Sequence, residues 1–207
     1  MPEYSAGRPA LAEALFRIGA LRFGKFTLAS GKPSSYYLDL RVVPSDPDAY
    51  SLALEAYRSI AKGVGETNFD VLAGVATAGV TMSSPLAFLL KKPMLYVRKE
   101  DKGHGLRRLV EGAVRPGWRA LVIDDLVTTG GSMISAVEAL RKSGCVVKEA
   151  AVLVDRLEGG GANLAAVGVR LSSFVDVKEL ASTLYDAGKL TKGDRDTVLK
   201  QIGGSSR

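Results

Sequence analysis

Four short apolar runs in the middle of the chain predict strands that are buried on both faces. They are rich in Val, Ile, Leu and Ala and do not alternate with polar residues, as strands with one solvent-exposed face would. The runs span residues 71–76, 94–97, 120–123 and 150–154. Two segments with helical spacing of their apolar residues, 83–91 and 132–142, lie between successive runs. This alternation predicts an α/β fold with a mainly parallel sheet flanked by helices.

Three further regions flank this predicted core. Residues 10–22 have the pattern of an opening helix, and residues 176–203 contain two amphipathic stretches that predict a C-terminal helical segment. Residues 22–45 are aromatic and rich in turn residues, so we expect them to form a small N-terminal substructure, called the hood below. The sequence has no internal repeats, and we expect residues 1–207 to fold as a single domain.

The composition is that of a globular protein with a basic surface. Of the 207 residues, 46% are hydrophobic and 24% are charged, and the net charge is +6. The positive charge favours an anionic partner, either a nucleic acid or a polyphosphate metabolite. No run approaches the ~18 consecutive apolar residues of a membrane span, and the N-terminus lacks the apolar core of a signal peptide. Cys145 is the sole cysteine, so we expect a small buried side chain, no internal disulfide and a cytoplasmic protein.

The strongest chemical signal follows the third apolar run. Asp124 and Asp125 stand at the predicted carboxyl end of that strand, where ligands bind in open α/β sheets. The next residues, LVTTGGS at 126–132, lead into a helix. Their backbone N–H groups, the Thr hydroxyls and the helix N-terminus suit a phosphate monoester. The carboxylates would repel that phosphate but suit sugar hydroxyls or Mg²⁺, so a ribose 5-phosphate satisfies both halves of the segment.

Two acids, two apolar residues and Thr-Thr-Gly-Gly-Ser in this order resemble the phosphoribosyl diphosphate (PRPP) binding motif of type I phosphoribosyltransferases. The alternative, an ordinary helix cap, leaves the adjacent acids unexplained. The resemblance implies the type I phosphoribosyltransferase fold. It also implies PRPP binding through Asp124, Asp125, Leu126, Val127, Thr128, Thr129, Gly130, Gly131 and Ser132. The motif does not identify the nucleobase.

A long connection, residues 98–118, joins the second and third apolar runs and begins with RKEDKGHG. Connections of this length between core strands are typically active-site lids or disordered segments. Glycines around clustered cations suit a lid that closes over a polyanion, and residues 98–108 are called the lid below. A solvated charge run or a nucleic-acid patch is the alternative, but no aromatic residues interleave the cations as they do in proteins that bind single strands.

The stretch RKEDKGHG after an apolar strand resembles the catalytic loop of orotate phosphoribosyltransferase. The resemblance implies that Arg98, Lys99, Lys102 and His104 contact the diphosphate of PRPP. It also implies that Lys102, His104 and Asp125 are the catalytic residues. In that family the loop acts in the site of the neighbouring subunit, which implies a homodimer.

The hood and the end of the fourth run resemble the same family. The motifs FTLASG and YYLDLR resemble its N-terminal hood, which implies that Tyr37 and Leu38 pair with the pyrimidine edge of orotate. Arg156 resembles the arginine that binds the orotate carboxylate, a contact that a planar guanidinium makes with two hydrogen bonds. Without the resemblance, Arg156 would be interpreted as a surface ion-pair residue. Thr128 is a further orotate-binding residue that the resemblance implies.

The chain departs from the family at two positions where many bacterial members carry lysine. These positions hold Ala29 and Ala78. Lys32 is a candidate substitute for the first lysine, and the backbone of residues 77–79 is a candidate for the second diphosphate contact.

The resemblance implies transfer of ribose 5-phosphate from PRPP to N1 of orotate, which gives orotidine 5′-monophosphate and diphosphate in the biosynthesis of UMP. Mg²⁺ is the expected cofactor, bound mainly through PRPP and water, with no protein ligand assigned. Neither a nucleic acid nor a membrane is expected as a partner. One alternative is a ligand-sensing regulator that binds nucleic acid, for which the helix before the hood is too short to supply a helix-turn-helix. The other is half of a fused two-step enzyme, which would need a decarboxylase barrel after Arg207.

Overall fold

The structure, a computed structural model, describes residues 7–27, 31, 33–98 and 109–204. A two-stranded antiparallel hairpin near the N-terminus consists of β1 (Leu21–Thr27) and β2 (Pro33–Leu38). A separate sheet contains β3 (Val71–Val75), β4 (Met94–Val97), β5 (Val110–Glu111), β6 (Arg119–Val127), β7 (Val146–Asp155) and β8 (Arg170–Asp176). The strand order in this sheet is β5-β4-β3-β6-β7-β8, and every neighbouring pair is parallel except β4 and β5.

Helices cover both faces of the six-stranded sheet. They are α1 (Arg8–Arg17), α2 (Pro47–Val64), α3 (Ala78–Leu90), α4 (Gly131–Lys142), α5 (Gly160–Ala166), α6 (Val177–Asp186) and α7 (Lys192–Gly204). Side chains of α1, α2, α3 and α6 form one apolar core, and those of α4 and α5 form a second core on the opposite face. Along β3, Leu72 contributes to the first core while Val71 and Ala73 contribute to the second. The predicted α/β fold with a mainly parallel sheet is therefore confirmed, and strands buried on both faces explain the unbroken apolar runs.

Two glycines let the first turn of α3 approach the sheet closely. A Cβ atom on Gly79 would lie 2.3 Å from the carbonyl oxygen of Ile123 and 3.0 Å from Cα of Asp124. A Cβ atom on Gly74 in β3 would lie 2.3 Å from Oγ of Ser83 in α3. Only hydrogen fits at these positions. The start of α3 is therefore fixed beside the end of β6, where the two predicted acids stand.

Helix α2 was not predicted from the pattern, although its start carries clear local signals. Asp46 precedes it, and its carboxylate accepts a hydrogen bond from the Ala49 N–H at 2.9 Å and ion-pairs with Arg17 at 2.8 Å. Pro47 occupies the first helical position, where a missing N–H costs nothing. The helix begins here because the Asp46 carboxylate caps it and the fixed φ of Pro47 suits its first position.

The opening helix is shorter than the predicted range 10–22. It ends at Arg17, and β1 begins at Leu21. Gly19 between them has φ 72°, a left-handed conformation that ends a helix and turns the chain. The predicted end of this helix, at residue 22, was therefore wrong.

The hairpin near the N-terminus is attached to the last helix. The side-chain oxygen of Gln201 in α7 accepts hydrogen bonds from the N–H and the hydroxyl of Ser35 in β2, at 2.7 and 2.8 Å. Helices α6 and α7 correspond to the two amphipathic stretches predicted at the C-terminus. Strand β2 and all of β1 except Leu21 fall within the range predicted for the hood, and helix α7 therefore packs beside this hairpin.

Some smaller elements were not predicted. Strand β5 lies within the long connection at 98–118, and β8 and α5 follow the fourth apolar run. Cys145 is buried, as expected for a small apolar side chain. Within the described part of the chain, every helix is too short or too polar to cross a membrane.

Candidate functional site

A cleft of about 510 Å³ opens at the carboxyl ends of β3 and β6. Three segments line it: Leu38 to Arg41 after the hairpin, Ala76 to Ala78 before α3, and Asp124 to Met133 between β6 and the first turn of α4. This is the position at which open parallel sheets bind ligands, because the chain leaves adjacent strands in different directions there. All nine residues predicted from the acid-rich motif, 124–132, line this one cleft.

The loop after β6 has the backbone geometry of an anion-binding loop. Gly130 has φ 83°, and α4 begins at the following residue, so the backbone turns sharply and presents N–H groups at the helix N-terminus. The loop is supported from behind by α5. A Cβ atom on Gly160 would lie 2.7 Å from the Thr128 carbonyl oxygen, and the Asn163 amide donates to the Thr129 carbonyl oxygen at 2.9 Å. Close packing therefore holds the loop in one shape.

The two acids lie at the end of β6 and are oriented by backbone hydrogen bonds. Asp124 Oδ1 accepts from the N–H of Asp125 at 3.0 Å, and Asp125 Oδ1 accepts from the N–H of Leu126 at 2.9 Å. Burial raises the pKa of Asp125 above its ordinary value, because desolvation disfavours the charged form. Both side chains are half-buried and face a cleft that can hold sugar hydroxyls.

A buried tyrosine from α2 supports the same strand end. The Tyr57 hydroxyl donates a hydrogen bond to the Asp124 carbonyl oxygen at 2.6 Å. Its side chain is 1% exposed, and burial raises the pKa of this hydroxyl well above its ordinary value, so it remains a donor. This contact was not predicted, because Tyr57 occupies an ordinary core position of an amphipathic helix.

The segment after the hairpin contributes an ion pair to the cleft. Arg41 Nε and Nη2 donate to the two carboxylate oxygens of Asp39 at 2.7 and 2.8 Å. The Arg41 guanidinium lowers the pKa of Asp39, so this carboxylate remains ionised. Both residues belong to the motif YYLDLR, although neither was predicted to have a role in the site.

Two of the predicted orotate-binding residues do not line the cleft. The Tyr37 ring lies 5.7 Å from the Phe26 ring and 5.0 Å from the Arg22 guanidinium carbon. Arg156 is 9% exposed, and its guanidinium carbon lies 5.0 Å from the centre of the Tyr36 ring.

Arg156 is held by two groups whose contacts with it were not predicted from the sequence. Its Nε donates to the Tyr36 hydroxyl at 3.1 Å. Its Nη2 forms an ion pair with Glu158 Oε1 at 2.9 Å, although the two atoms are not aligned for a hydrogen bond. Arg156 is therefore a buried, paired side chain rather than a surface ion-pair residue.

The predicted lid begins and ends at the β4–β5 pair. Arg98 donates its backbone N–H to the Leu109 carbonyl oxygen at 2.9 Å, and its side chain forms an ion pair with Glu111 at 3.2 Å. Arg98 lines a second cavity of about 320 Å³, and Ser132 lines both this cavity and the cleft. Three predicted residues, Lys99, Lys102 and His104, lie outside the described residues, as do Ala29 and Lys32. Ala78 lines the cleft.

Comparison with known proteins identifies the family. Residues 50–185 match the model of the phosphoribosyl transferase domain. The chain is 44% identical over 190 residues to the orotate phosphoribosyltransferase of Cenarchaeum symbiosum, covering 91% of this chain and 93% of that protein.

Solved structures give the same result. The crystal structure of orotate phosphoribosyltransferase from Aeropyrum pernix is 42% identical, with a TM-score of 0.75 over 86% of this chain and 98% of that one. The structure of Leishmania donovani UMP synthase is 32% identical, with a TM-score of 0.86 over 97% of this chain but only 43% of that longer chain. The superfamily and family predicted from the sequence are confirmed, and the chain belongs to the orotate phosphoribosyltransferase family, whose members are pentosyltransferases.

Proposed function

We propose that the chain transfers ribose 5-phosphate from PRPP to N1 of orotate in the cleft at the ends of β3 and β6, giving orotidine 5′-monophosphate for the biosynthesis of UMP. One observation carries the proposal. The acid pair Asp124–Asp125 and the anion-binding loop before α4 line the same cleft as the segment that follows the hood. A ribose 5-phosphate has the matching pair of chemical groups, a vicinal diol and a phosphate monoester.

The loop before α4 and the acid pair would together bind the ribose 5-phosphate part of PRPP. The N–H groups and hydroxyls of Thr128 to Ser132 would bind the 5-phosphate, assisted by the partial positive charge at the start of α4. Asp124 and Asp125 would accept hydrogen bonds from the ribose hydroxyls. Their negative charge also favours the oxocarbenium-like ribose that forms when the bond from C1′ to the diphosphate oxygen breaks.

Orotate would bind on the side of the cleft formed by the hood. Leu38 lines the cleft there, and Thr128 lies on the opposite wall. We place Tyr37 and Arg156 beside the same ligand, as the family resemblance implies. Arg156 has the chemistry for this role, because a planar guanidinium can bind a carboxylate with two parallel hydrogen bonds. Its Nη2 lies 2.9 Å from Glu158 Oε1 but makes no aligned hydrogen bond with it.

The basic lid would stabilise the leaving group, diphosphate. Breaking the C1′–O bond puts negative charge on diphosphate, and Arg98, Lys99, Lys102 and His104 would stabilise that charge, with His104 as a proton donor. Removal of one such group typically costs on the order of a hundredfold in rate. Orotate loses its N1 proton readily, so the reaction needs no strong protein base.

The donor set of the cleft fits a magnesium ion that the substrate carries. Among the described residues, no three His, Cys, Asp or Glu side chains cluster into a metal cage. Asp124 and Asp125 can supply one or two carboxylates, which is the usual protein share when Mg²⁺ is bound through phosphates and water. When bound, the ion would neutralise charge on the diphosphate.

The deciding experiment measures diphosphate release from PRPP and Mg²⁺ with one nucleobase at a time: orotate, uracil, hypoxanthine or adenine. We expect release with orotate alone. Turnover of another base without orotate would contradict the substrate assignment and leave the fold intact. Salt-sensitive binding of nucleic acid without any turnover would instead favour the regulator considered above.

We further propose a homodimer in which the lid of one subunit acts in the site of the other. Large apolar side chains are exposed on the α3 side of the sheet, namely Phe88 (84%), Leu89 (47%) and Tyr96 (38%), and such exposure is typical of protein interfaces. A mixture of two inactive variants, Lys102→Ala and Asp125→Asn, tests the arrangement. In an equal mixture about a quarter of the sites would be intact if the lid acts in trans, and activity would return. Hybrid dimers without activity would exclude the exchange.

A further inference from the structure

The described lining of the cleft contains a single cationic side chain. It is Arg41, and the same lining holds three carboxylates, Asp39, Asp124 and Asp125. The proposed substrate PRPP carries one phosphate monoester and one diphosphate. The loop before α4 offers backbone N–H groups to one of these anions. The other anion needs a cation, because nearby carboxylates repel it.

Arg41 retains donors for such an anion although it is paired with Asp39. The pairing is side-on, through Nε and Nη2, and uses two of the five guanidinium N–H groups. Both hydrogens of Nη1 and one of Nη2 point away from Asp39. The Arg41 side chain is 69% exposed, so these donors are accessible to a ligand in the cleft.

Asp39 fixes the guanidinium from a rigid position. Its own N–H donates to the Ala20 carbonyl oxygen at 2.8 Å. Its carboxylate also accepts the backbone N–H of Arg41 at 3.1 Å, which caps the short helix Leu40–Ser45. An arginine held in this way loses little further side-chain entropy when it binds a phosphate with two parallel hydrogen bonds.

The location of Arg41 points to the diphosphate rather than the 5-phosphate. Arg41 and Asp125 line the same cleft. Asp39 is the main cause of the raised pKa of Arg41, and the negative charge of Asp125 adds to it. Asp125 is the proposed partner of the ribose hydroxyls, next to C1′, which carries the diphosphate. The 5-phosphate is at the opposite end of the sugar and, in the proposed binding mode, would lie in the loop before α4.

We propose that Arg41 binds the diphosphate of PRPP and that Asp39 is the positioning residue that holds its guanidinium. The assignment rests on the proposed function for the identity of the substrate. It adds a cation from the segment after the hood to those of the lid.

The test combines direct binding with kinetics. Titration calorimetry with inorganic diphosphate and Mg²⁺ should show affinity reduced on the order of ten- to a hundredfold in Arg41→Ala, as for loss of charge-assisted hydrogen bonds. The KM for PRPP should rise by a similar factor while the KM for orotate stays within about twofold. Arg41→Lys should recover part of the loss, because it keeps the charge but not the two-pronged geometry.

Two further variants separate positioning from charge. Asp39→Asn keeps an acceptor for the helix cap but loses the ion pair, so the KM for PRPP should rise by an intermediate factor, with kcat largely retained. Arg58→Ala is the matched control, since Arg58 is an exposed arginine that pairs with Glu55 at 2.8 Å outside the cleft lining. It should leave both KM values unchanged.

Unchanged diphosphate affinity in Arg41→Ala would overturn the proposal, and so would a rise in the KM for orotate alone. If the wild-type protein bound diphosphate through Arg41 but did not turn over orotate, the proposed function would fail while this assignment stood.

Discussion

Replacement of Gly79 by alanine tests whether the close contact between α3 and β6 holds the site together. The new Cβ atom would lie 2.3 Å from the Ile123 carbonyl oxygen, more than about 1 Å inside ordinary contact distance. The second neighbour, Asp124 Cα at 3.0 Å, is also a backbone atom. No flexible side chain can move aside, so the helix must shift away from the strand.

The expected cost follows from overpacking in a rigid region. Inserting a methyl group into a tightly packed site typically costs about 1–3 kcal/mol. For a chain of this size we therefore expect the melting temperature to fall by roughly 2–12 °C at fixed protein concentration. Because Ala78 lines the cleft next to the substituted residue, kcat/KM for PRPP should fall as well. Differential scanning calorimetry and diphosphate release measure the two effects.

Gly161→Ala is the matched control within α5. Its Cβ atom would meet nothing closer than Leu171 Cδ2 at 3.9 Å, which is an ordinary contact. An alanine in a helix without a clash should leave stability unchanged or raise it by about 0.5–1 kcal/mol. If Gly79→Ala melted at the wild-type temperature, or no lower than Gly161→Ala, the close approach of α3 and β6 would not be a constraint on the fold.

Three other substitutions test single contacts. Asp46→Asn should reduce the loss of stability at acid pH. The ion pair with Arg17 and the helix cap lower the pKa of Asp46 from 3.8 to about 2, so the stabilisation from this carboxylate is present above about pH 4 and lost as pH falls towards 2. Urea unfolding at stepped pH measures this difference. Tyr57→Phe removes the hydrogen bond to the Asp124 carbonyl and should cost about 1–2 kcal/mol in urea unfolding; no loss would mean that this hydroxyl does not support the strand end. Tyr36→Phe keeps the ring beside Arg156 but loses the hydroxyl, so the KM for orotate should rise on the order of tenfold with the KM for PRPP constant, and equal changes in both would argue against a role in orotate binding.

The central strands of the sheet could be predicted from the sequence, whereas the edge strand β8 and helix α2 could not, because burial on both faces leaves a clear apolar pattern. Strands β3, β6 and β7 are covered on both faces and therefore carry unbroken apolar runs. Strand β8 is the edge of the sheet and is only partly covered, so its sequence RLSSFVD mixes polar and apolar residues and gives no such signal. Helix α2 buries mostly alanines, whose pattern is weak beside that of larger apolar side chains.

The site residues fall into two similar groups: those that are contiguous in sequence could be predicted, and contacts between residues far apart in sequence could not. The acids and the loop before α4 are contiguous in sequence, and their order alone indicated a ribose phosphate. The pairing of Arg156 with Tyr36 joins residues 120 positions apart, and that of Tyr57 with Asp124 joins residues 67 positions apart. Only the packing of the hood and α2 on the sheet brings these residues together, so no spacing in the sequence could reveal them.

The net charge of the described cleft lining is opposite in sign to that of the whole chain. This difference suggests that the groups that recognise the sugar are not those that supply the affinity for a polyphosphate. The chain carries +6, whereas the cleft lining has three carboxylates and one guanidinium. A polyphosphate in this cleft would be repelled by the acid pair unless cations approached it from other segments. The lid sequence, residues 98–108, contains five Lys and Arg residues and two acids. Its first residue, Arg98, is hydrogen-bonded to Leu109 beside the β4–β5 pair. In the proposed reaction, the acids would select the neutral hydroxyls of a ribose, and the binding strength for its diphosphate would come from Arg41, the lid and Mg²⁺.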